Sequence, residues 1–340
     1  MQTRILKVSS KNPSLSQIRK AARIIKSGGL VAFPTETVYG LGANALDSKS
    51  VRKIFEAKGR PSDNPLIIHI SDIAELGILA ENIPRTAFDL IEKFWPGPLT
   101  LVLKKSKIVP KIVTGGLDSV AVRMPKNKVA LELIRLCGTP IAAPSANIAG
   151  SPSPTRAEHV SEDLKGKISM ILDGGPTKIG IESTVIDLSS KTPMLLRPGG
   201  ITLEQLQKIL GKIKIHPIVF GKKTKTITRS PGMKYRHYSP KAKIILIEGS
   251  KPKIRKKISE LSKYYKSQGL RVGILGANIG SDLTKSQASQ QKIAASLFKS
   301  FREFDAKKID IILAQGTSSK GLGLGIMNRL GKAAYKKIRV

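Results

Sequence analysis

The 340-residue sequence holds a single cysteine, Cys137. No disulfide can close within the chain, and no multi-cysteine zinc or iron–sulfur site can be built from it. No stretch approaches the roughly 20 apolar residues that a membrane helix needs, and residues 1–10 carry no apolar signal core. These absences predict a cytoplasmic protein with no membrane partner. Acidic residues are also few: 24 Asp and Glu stand against 59 Lys and Arg, for a formal charge of +35. The shortage is uneven, with 28 basic against 17 acidic residues in 1–200 and 31 against 7 in 201–340. Such a field attracts polyanions, nucleic acid above all, although scattered lysines also keep proteins soluble. An RNA-recognition motif, a KH-type GxxG on a helix hairpin and a zinc knuckle are all missing.

What is present reads as two α/β units. With 40% hydrophobic residues the chain can fill two cores. Asn12-Pro13 reads as an N-cap and first-turn proline, followed by Leu15, Ile18, Ala22 and Ile25 at helical spacing until Gly28-Gly29. Asp47 caps a second helix, Phe88, Ile91 and Trp95 mark a third that Pro96 breaks, and residues 129–136 form a fourth. Strands are expected at 30–33, 66–70, 99–103 and 120–124, then at 168–172, 183–188 and 194–196. Because the last three follow one another without helices, the sheet should be open, twisted and mixed rather than purely parallel. Thr155 with Glu158, and Thr202 with Gln205, fit capping boxes. Residues 212–242 lack periodicity and read as a linker between a domain of residues 1–211 and a smaller one of 243–340. In the latter, strands at 243–247, 271–275 and 309–314 alternate with helical patterns at 254–265 and 287–304, which predicts a parallel, three-layer, Rossmann-like unit. Its glycine-rich segments, 273–280 and 321–325, match neither GxGxxG nor GxxxxGK[ST], so turn or packing roles are expected.

Three patches carry candidate chemistry. The first, Phe33-Pro34-Thr35-Glu36-Thr37-Val38-Tyr39-Gly40-Leu41-Gly42, leaves a buried strand at the end where open α/β sheets usually bind ligands. Its hydroxyls could equally cap a turn. The second, Lys58-Gly59-Arg60-Pro61-Ser62-Asp63-Asn64-Pro65, ends a helix and precedes a strand containing His69. Its two cations suit a phosphate, arginine as a bidentate fork and lysine as a point charge, and are expected to face a cleft rather than the core. They could also simply answer the helix dipole. The third spans residues 142–147 and runs on to Ser153: small residues admit a ligand to the backbone, and Ser145, Asn147 and Ser153 offer neutral hydrogen bonds. No Ser-His-Asp or Cys-His arrangement accompanies them.

In their order and spacing, FPTETVYGLG, the KxR of Lys58 and Arg60, and the SxN of Ser145 and Asn147 resemble the threonylcarbamoyl-AMP synthase family, whose catalytic domain is called YrdC-like. WPGPLT from Trp95, VAVRMP from Val120 and ESTVID from Glu182 extend the resemblance over residues 1 to about 210. SPGMKYRHYSP from Ser230, with the Rossmann-like tail, is similar to the family's two-domain form. The resemblance implies a nucleotidyltransferase. Threonine and bicarbonate or CO2 give a carbamate, whose oxygen attacks the α-phosphorus of ATP and expels pyrophosphate. The adenylate then serves threonylcarbamoyl-adenosine formation in tRNA through a downstream transferase complex. The resemblance puts Lys58, Arg60, Asn64, Ser119 and Ala143 on ATP, together with Ser145, Asn147, Ser153, Arg197 and Tyr235. Lys58, Arg60, Ser145 and Asn147 form the implied catalytic set, and Thr35, Thr37, His69, Arg123 and Ser183 the threonine set. Mg2+ would come with ATP, held by phosphates and water and not by protein side chains. Tyr235, Arg236, His237 and Tyr238 would fold over the cleft. Carbamoyltransferases that mature hydrogenases share the YrdC-like domain, but beside cysteine-rich zinc fingers that one cysteine cannot supply. The competing reading is an RNA-binding or ribosome-assembly protein with a basic concave sheet.

Overall fold

The computed structural model describes residues 2–222, 238–276 and 287–340. Helices form where an apolar stripe can face a sheet. Leu15–Lys26 buries Ile18, Ala21, Ala22 and Ile25. Its N-cap is Ser14 and not Asn12, because the Ser14 carbonyl accepts the first helical bonds from Gln17 and Ile18 (3.1 Å each), leaving Pro13 outside the helix. Ser48–Lys58 is capped by Asp47, whose carboxylate accepts from the backbone N–H groups of Lys49 and Ser50. It ends at Gly59 in the left-handed conformation (φ 59°) that glycine adopts without a Cβ penalty. Thr202 and Gln205 make the expected capping box. Thr155 and Glu158 do not. Arg156 is the N-cap of Ala157–Leu164, so Glu158 falls one position early, and the Thr155 N–H donates to His159 Nδ1 (3.2 Å).

Among the described residues the first sheet is mixed and has 12 strands, eleven in one path and Ala80–Glu81 branching from it beside Leu99–Lys105. Arg4–Lys7, Met170–Asp173 and Val31–Phe33 run parallel at one edge. Antiparallel pairs then join Val31–Phe33 to Gly40–Asn44, that strand to Ile141–Ala142, and Ile141–Ala142 to Ile67–His69. Ser119–Arg123 lies parallel to Ile67–His69. Leu99–Lys105, Thr184–Asp187, Met194–Arg197 and Lys214–Ile215 follow in alternating antiparallel and parallel pairings. The opening residues of the expected linker thus extend this sheet.

Residues paired across strands share a face. His69 pairs with Arg123, Val185 with Thr100 and with Arg197, and the register of Leu99–Lys105 puts Thr100 opposite Arg123. All five therefore lie on one face. The residues between them, Ile68, Val122, Leu101, Ile186 and Leu195, point the other way into the main core. Helices Ser48–Lys58, Arg85–Phe94 and Leu203–Leu210 pack there through Ile54, Leu90 and Leu206. On the first face, Leu15–Lys26 and Lys128–Cys137 cover only the strands near the Arg4–Lys7 edge. The centre of that face carries His69, Thr100, Arg123 and Arg197 as a polar floor, bordered by the apolar cluster of Ile67, Val102, Ala121 and Val185.

The second sheet is parallel throughout, in the order Val272–Leu275, Ile311–Gln315, Lys243–Glu248, Ala334–Arg339. Helix Lys251–Ser267 covers one face, and Gln287–Ala306 with Gly323–Ala333 the other, giving three layers. Its fourth strand escapes the sequence reading because Lys336, Lys337 and Arg339 mask the apolar alternation at a sheet edge, where such charges block further pairing. Gly273 has the expected packing role, since a Cβ there would lie 2.8 Å from the Phe304 ring. The core of this unit takes in Val38 and Ile181 from the first, so the two are packed together. Among the described residues no helix is long and apolar enough to cross a membrane.

Candidate active site

The polar floor, the loop after Val31–Phe33 and the loop of residues 143–153 enclose one cleft. In the first loop Thr35 Oγ1 accepts from the N–H groups of Thr37 and Val38 and donates to the Val38 carbonyl (2.6 Å), which fixes a tight turn. The turn-capping role and the cleft-lining role therefore coincide. Tyr39 locks the loop from behind, its hydroxyl donating to the Gly175 carbonyl (2.7 Å). Beyond the turn, Gly40 bridges to Ser145, which brings the first and third patches together.

Lys58 departs from expectation. It is 2% exposed, and its Nζ donates to the carbonyls of Ser145 and Asn147, so it clasps the third patch from beneath. Burial, and then the charge of Arg60, hold its pKa well below the usual lysine value. Arg60 is half-buried and donates to the carbonyls of Asn64 and Pro65 (3.1–3.4 Å), shaping the segment that carries Asn64. Asn64 lines the cleft, 1% exposed, with neither Oδ1 nor Nδ2 hydrogen-bonded, and Asn147 Oδ1 is likewise buried without a partner. Buried polar atoms left unpaired cost stability, so these are candidates for ligand contacts.

On the floor, His69 is buried and its Nδ1 stands 3.2 Å from the Ile67 carbonyl. Burial and the adjacent Arg123 charge push its pKa to about 3, so the ring is neutral. Arg123 donates to Thr37 Oγ1 (3.0 Å) and the Gly97 carbonyl (3.2 Å), and pairs with buried Glu36 at 2.7 Å, off the line of a hydrogen bond. Arg197 donates to the carbonyl and hydroxyl of Ser183 (3.0 Å each), and Ser183 Oγ also meets Thr100 Oγ1 at 2.7 Å. Glu182 accepts from Ser153 Oγ (2.5 Å) and from Arg329 Nε (2.9 Å) of helix Gly323–Ala333. Burial favours its neutral acid, but Arg329 and Arg197 outweigh this and hold the carboxyl below its ordinary range.

The structure brings Thr35, Thr37, Lys58, Arg60, Asn64 and His69 to this cleft, and with them Arg123, Ala143, Ser145, Asn147, Ser153, Ser183 and Arg197. It does not bring Ser119, which opens its strand two residues before Ala121, the partner of cleft-lining Ile67. Tyr235, with Arg236 and His237, lies outside the described residues. Tyr238, the fourth of that group, is described: it is buried, lines the cleft and stacks on Phe298 (centroids 5.3 Å apart). The ligand region is a sheet face as much as a set of strand ends, since His69, Arg123 and Arg197 all project from that face. Glu36 and Glu182 carry no site signal in the sequence although both sit inside the conspicuous motifs, because carboxylates look out of place in an anion site. Arg329 carried no local signal.

Among the described residues, four basic side chains, two counter-carboxylates and neutral donors stand around the cleft without a nucleophile–base pair, which defines an anion-binding α/β enzyme site that works by alignment and charge neutralisation. A family model of Sua5, YciO and YrdC proteins, described as telomere recombination, matches residues 23–199, and one described as threonylcarbamoyl-AMP synthase, C-terminal domain, matches 201–335. The chain is 56% identical over 327 residues to the threonylcarbamoyl-AMP synthase of Pyrococcus abyssi, covering 95% of this chain and 96% of that one. The Bacillus subtilis threonylcarbamoyl-AMP synthase is 49% identical, covering 95% and 94%. The crystal structure of P. abyssi Sua5 complexed with L-threonine superposes with a TM-score of 0.95 at 54% identity, covering 99% of this chain and all of that one. The chain belongs to the Sua5 family of threonylcarbamoyl-AMP synthases.

Proposed function

We propose that this chain makes L-threonylcarbamoyladenylate and pyrophosphate from L-threonine, bicarbonate or CO2, and ATP, in the cytoplasm, for threonylcarbamoyl-adenosine modification of tRNA. The observation that carries the reading is the cleft itself: cations beside buried Asn64 and Asn147 atoms that have no partner, in a chain matching synthases over nearly its whole length. The amine of threonine attacks the carbon of CO2 and loses a proton to solvent, and an oxygen of the resulting carbamate attacks the α-phosphorus of ATP as the bond to pyrophosphate breaks. No side chain need form a covalent intermediate. Lys58 and Arg60 neutralise phosphates, and Asn64, Ala143, Ser145, Asn147, Ser153 and Arg197 line the nucleotide side. Thr35, Thr37, His69, Arg123 and Ser183 surround threonine, with Arg123 oriented by Glu36 and Thr37 towards its carboxylate. Neutral His69 can donate or accept without adding charge beside Arg123.

Among the described residues no three His, Cys, Asp or Glu side chains converge on one point. Mg2+ would arrive with the substrate, carried on the phosphates of ATP. Residues 1–211 carry the chemistry, 212–242 connect, and 243–340 form the supporting unit. The product passes to a transferase acting on tRNA. The test is pyrophosphate release: it should require threonine and bicarbonate together and proceed without RNA. Release that needs RNA, or none with all three substrates, would favour the RNA-binding reading.

A further inference from the structure

We propose that Arg329, contributed by the second unit, is a positioning residue for the nucleoside half of ATP, acting through Glu182 and Ser153. Arg329 has 0% exposure. Its Nε donates to Glu182 Oε2 (2.9 Å), its Nη1 to the carbonyl of Pro198, and its guanidinium lies 5.5 Å from the centre of the Tyr238 ring. The other oxygen of Glu182, Oε1, accepts from Ser153 Oγ (2.5 Å). One carboxylate thus joins helix Gly323–Ala333 to a hydroxyl on the cleft wall.

The consequence is one of hydrogen-bond polarity. A serine hydroxyl has one proton, and here Ser153 donates it in a hydrogen bond to the charged carboxylate. What Ser153 presents to the cleft is therefore lone pairs only. It can accept from a ribose hydroxyl or a base amine, but it repels phosphate oxygens, which are acceptors themselves. That polarity lasts only while Glu182 is ionised, and of the two cations that keep it so, Arg329 and Arg197, Arg329 is the one that donates to it. Arg329 thereby sets what a residue of the other unit can recognise.

The packing makes this link stiff. A Cβ on Gly180 would fall 2.4 Å from the Ala294 carbonyl oxygen, and one on Gly325 would fall 3.0 Å from Ile181 Cδ1. The segment holding Glu182 is thus pressed directly by helices Gln287–Ala306 and Gly323–Ala333 of the second unit. Arg302 adds a separate tie beside it, donating to the Pro152 carbonyl (2.6 Å) and to Asp163 (2.7 Å).

The inference rests on the reading of the cleft as the ATP site, and the two can fail separately. The wild-type chain releasing no pyrophosphate from the three substrates would remove that reading. The inference is tested with full-length Arg329→Met, using adenosine and tripolyphosphate as competitive inhibitors against ATP. The expected result is that the KM for ATP and the inhibition constant of adenosine rise about tenfold, the loss of roughly one charged hydrogen bond. The threonine KM and the inhibition by tripolyphosphate should stay as in the wild type. Arg329→Met/Glu182→Gln should recover part of the adenosine affinity, because a neutral amide needs no buried cation. Equal weakening of adenosine and tripolyphosphate, unchanged adenosine inhibition, or a rise confined to the threonine KM would overturn it. If Arg329→Met fails to fold by circular dichroism, Glu182→Gln alone decides: it should weaken adenosine selectively, and wild-type adenosine inhibition in that folded variant would equally overturn the proposal.

Discussion

Acid should weaken the first unit steeply between pH 7 and pH 5, through two histidines. His69 is buried on the sheet face, with its pKa pushed to about 3 by burial and then by Arg123. His159 lies in helix Ala157–Leu164 with Nδ1 accepting the Thr155 N–H, and burial followed by Arg302 and Arg156 lowers it to about 4, against a smaller opposing pull from Asp163. In the unfolded chain both return to 6.5. Between the folded and unfolded values the unfolded state binds more protons, so stability falls as pH falls through 6.5 towards the folded pKa. At about 1.4 kcal/mol per pKa unit, each histidine costs about 2 kcal/mol between pH 7 and pH 5. A loss of about 4 kcal/mol would be a large part of a domain's typical stability. The chain's single tryptophan, Trp95, is buried in the same unit, so urea unfolding followed by its fluorescence reports on that unit. His159→Gln does not titrate, so whatever it costs at pH 7, its further loss on going to pH 5 should be about 2 kcal/mol smaller than that of the wild type. An equal further loss in both proteins would refute the buried-neutral account of His159.

Three further perturbations have defined outcomes. Asn64→Ala should leave the unliganded protein as stable as the wild type or more so, because it removes a buried amide with no partners, while raising the KM for ATP; a clear loss of stability would show that the amide is internally satisfied. Lys58→Met should abolish most pyrophosphate release and also lower stability by about 1–3 kcal/mol, since two buried carbonyls lose their donor, whereas Arg60→Ala should impair ATP use at smaller structural cost.

The parts of the site legible from sequence are those whose partners are close in the chain or repeat a recognisable spacing. Lys58 and Arg60 stand at a helix end that Asp47 and Gly59 announce, and Ser145 and Asn147 follow a short strand among small residues. Their depth was not legible: Lys58 reads as a surface cation until the chain returns, 87 residues later, to lay Ser145 over it. His69 was ambiguous for the same reason, since only the register beside Arg123 and the open floor separate a site histidine from a core one. The fourth strand of the second sheet was hidden by lysines suited to an edge, a case in which solubility outweighs the apolar pattern.

The carboxylates show why the remainder could not be read. Glu36 and Glu182 oppose the net charge an anion site needs, and nothing within a turn of either compensates them. Their partners are Arg123, delivered by strand pairing, and Arg329, 147 positions away on a helix of the other sheet. Gly199 illustrates the constraint from the backbone side. A Cβ there would fall 2.2 Å from the Glu182 carbonyl oxygen and 2.5 Å from the Ser183 carbonyl carbon, atoms that cannot yield as a flexible side chain would. Gly199→Ala should therefore destabilise the chain by roughly 1–3 kcal/mol and displace Glu182 and Ser183 from the cleft. Near-normal activity and stability in that variant would mean that this segment is not held as rigidly as the Arg329 link requires.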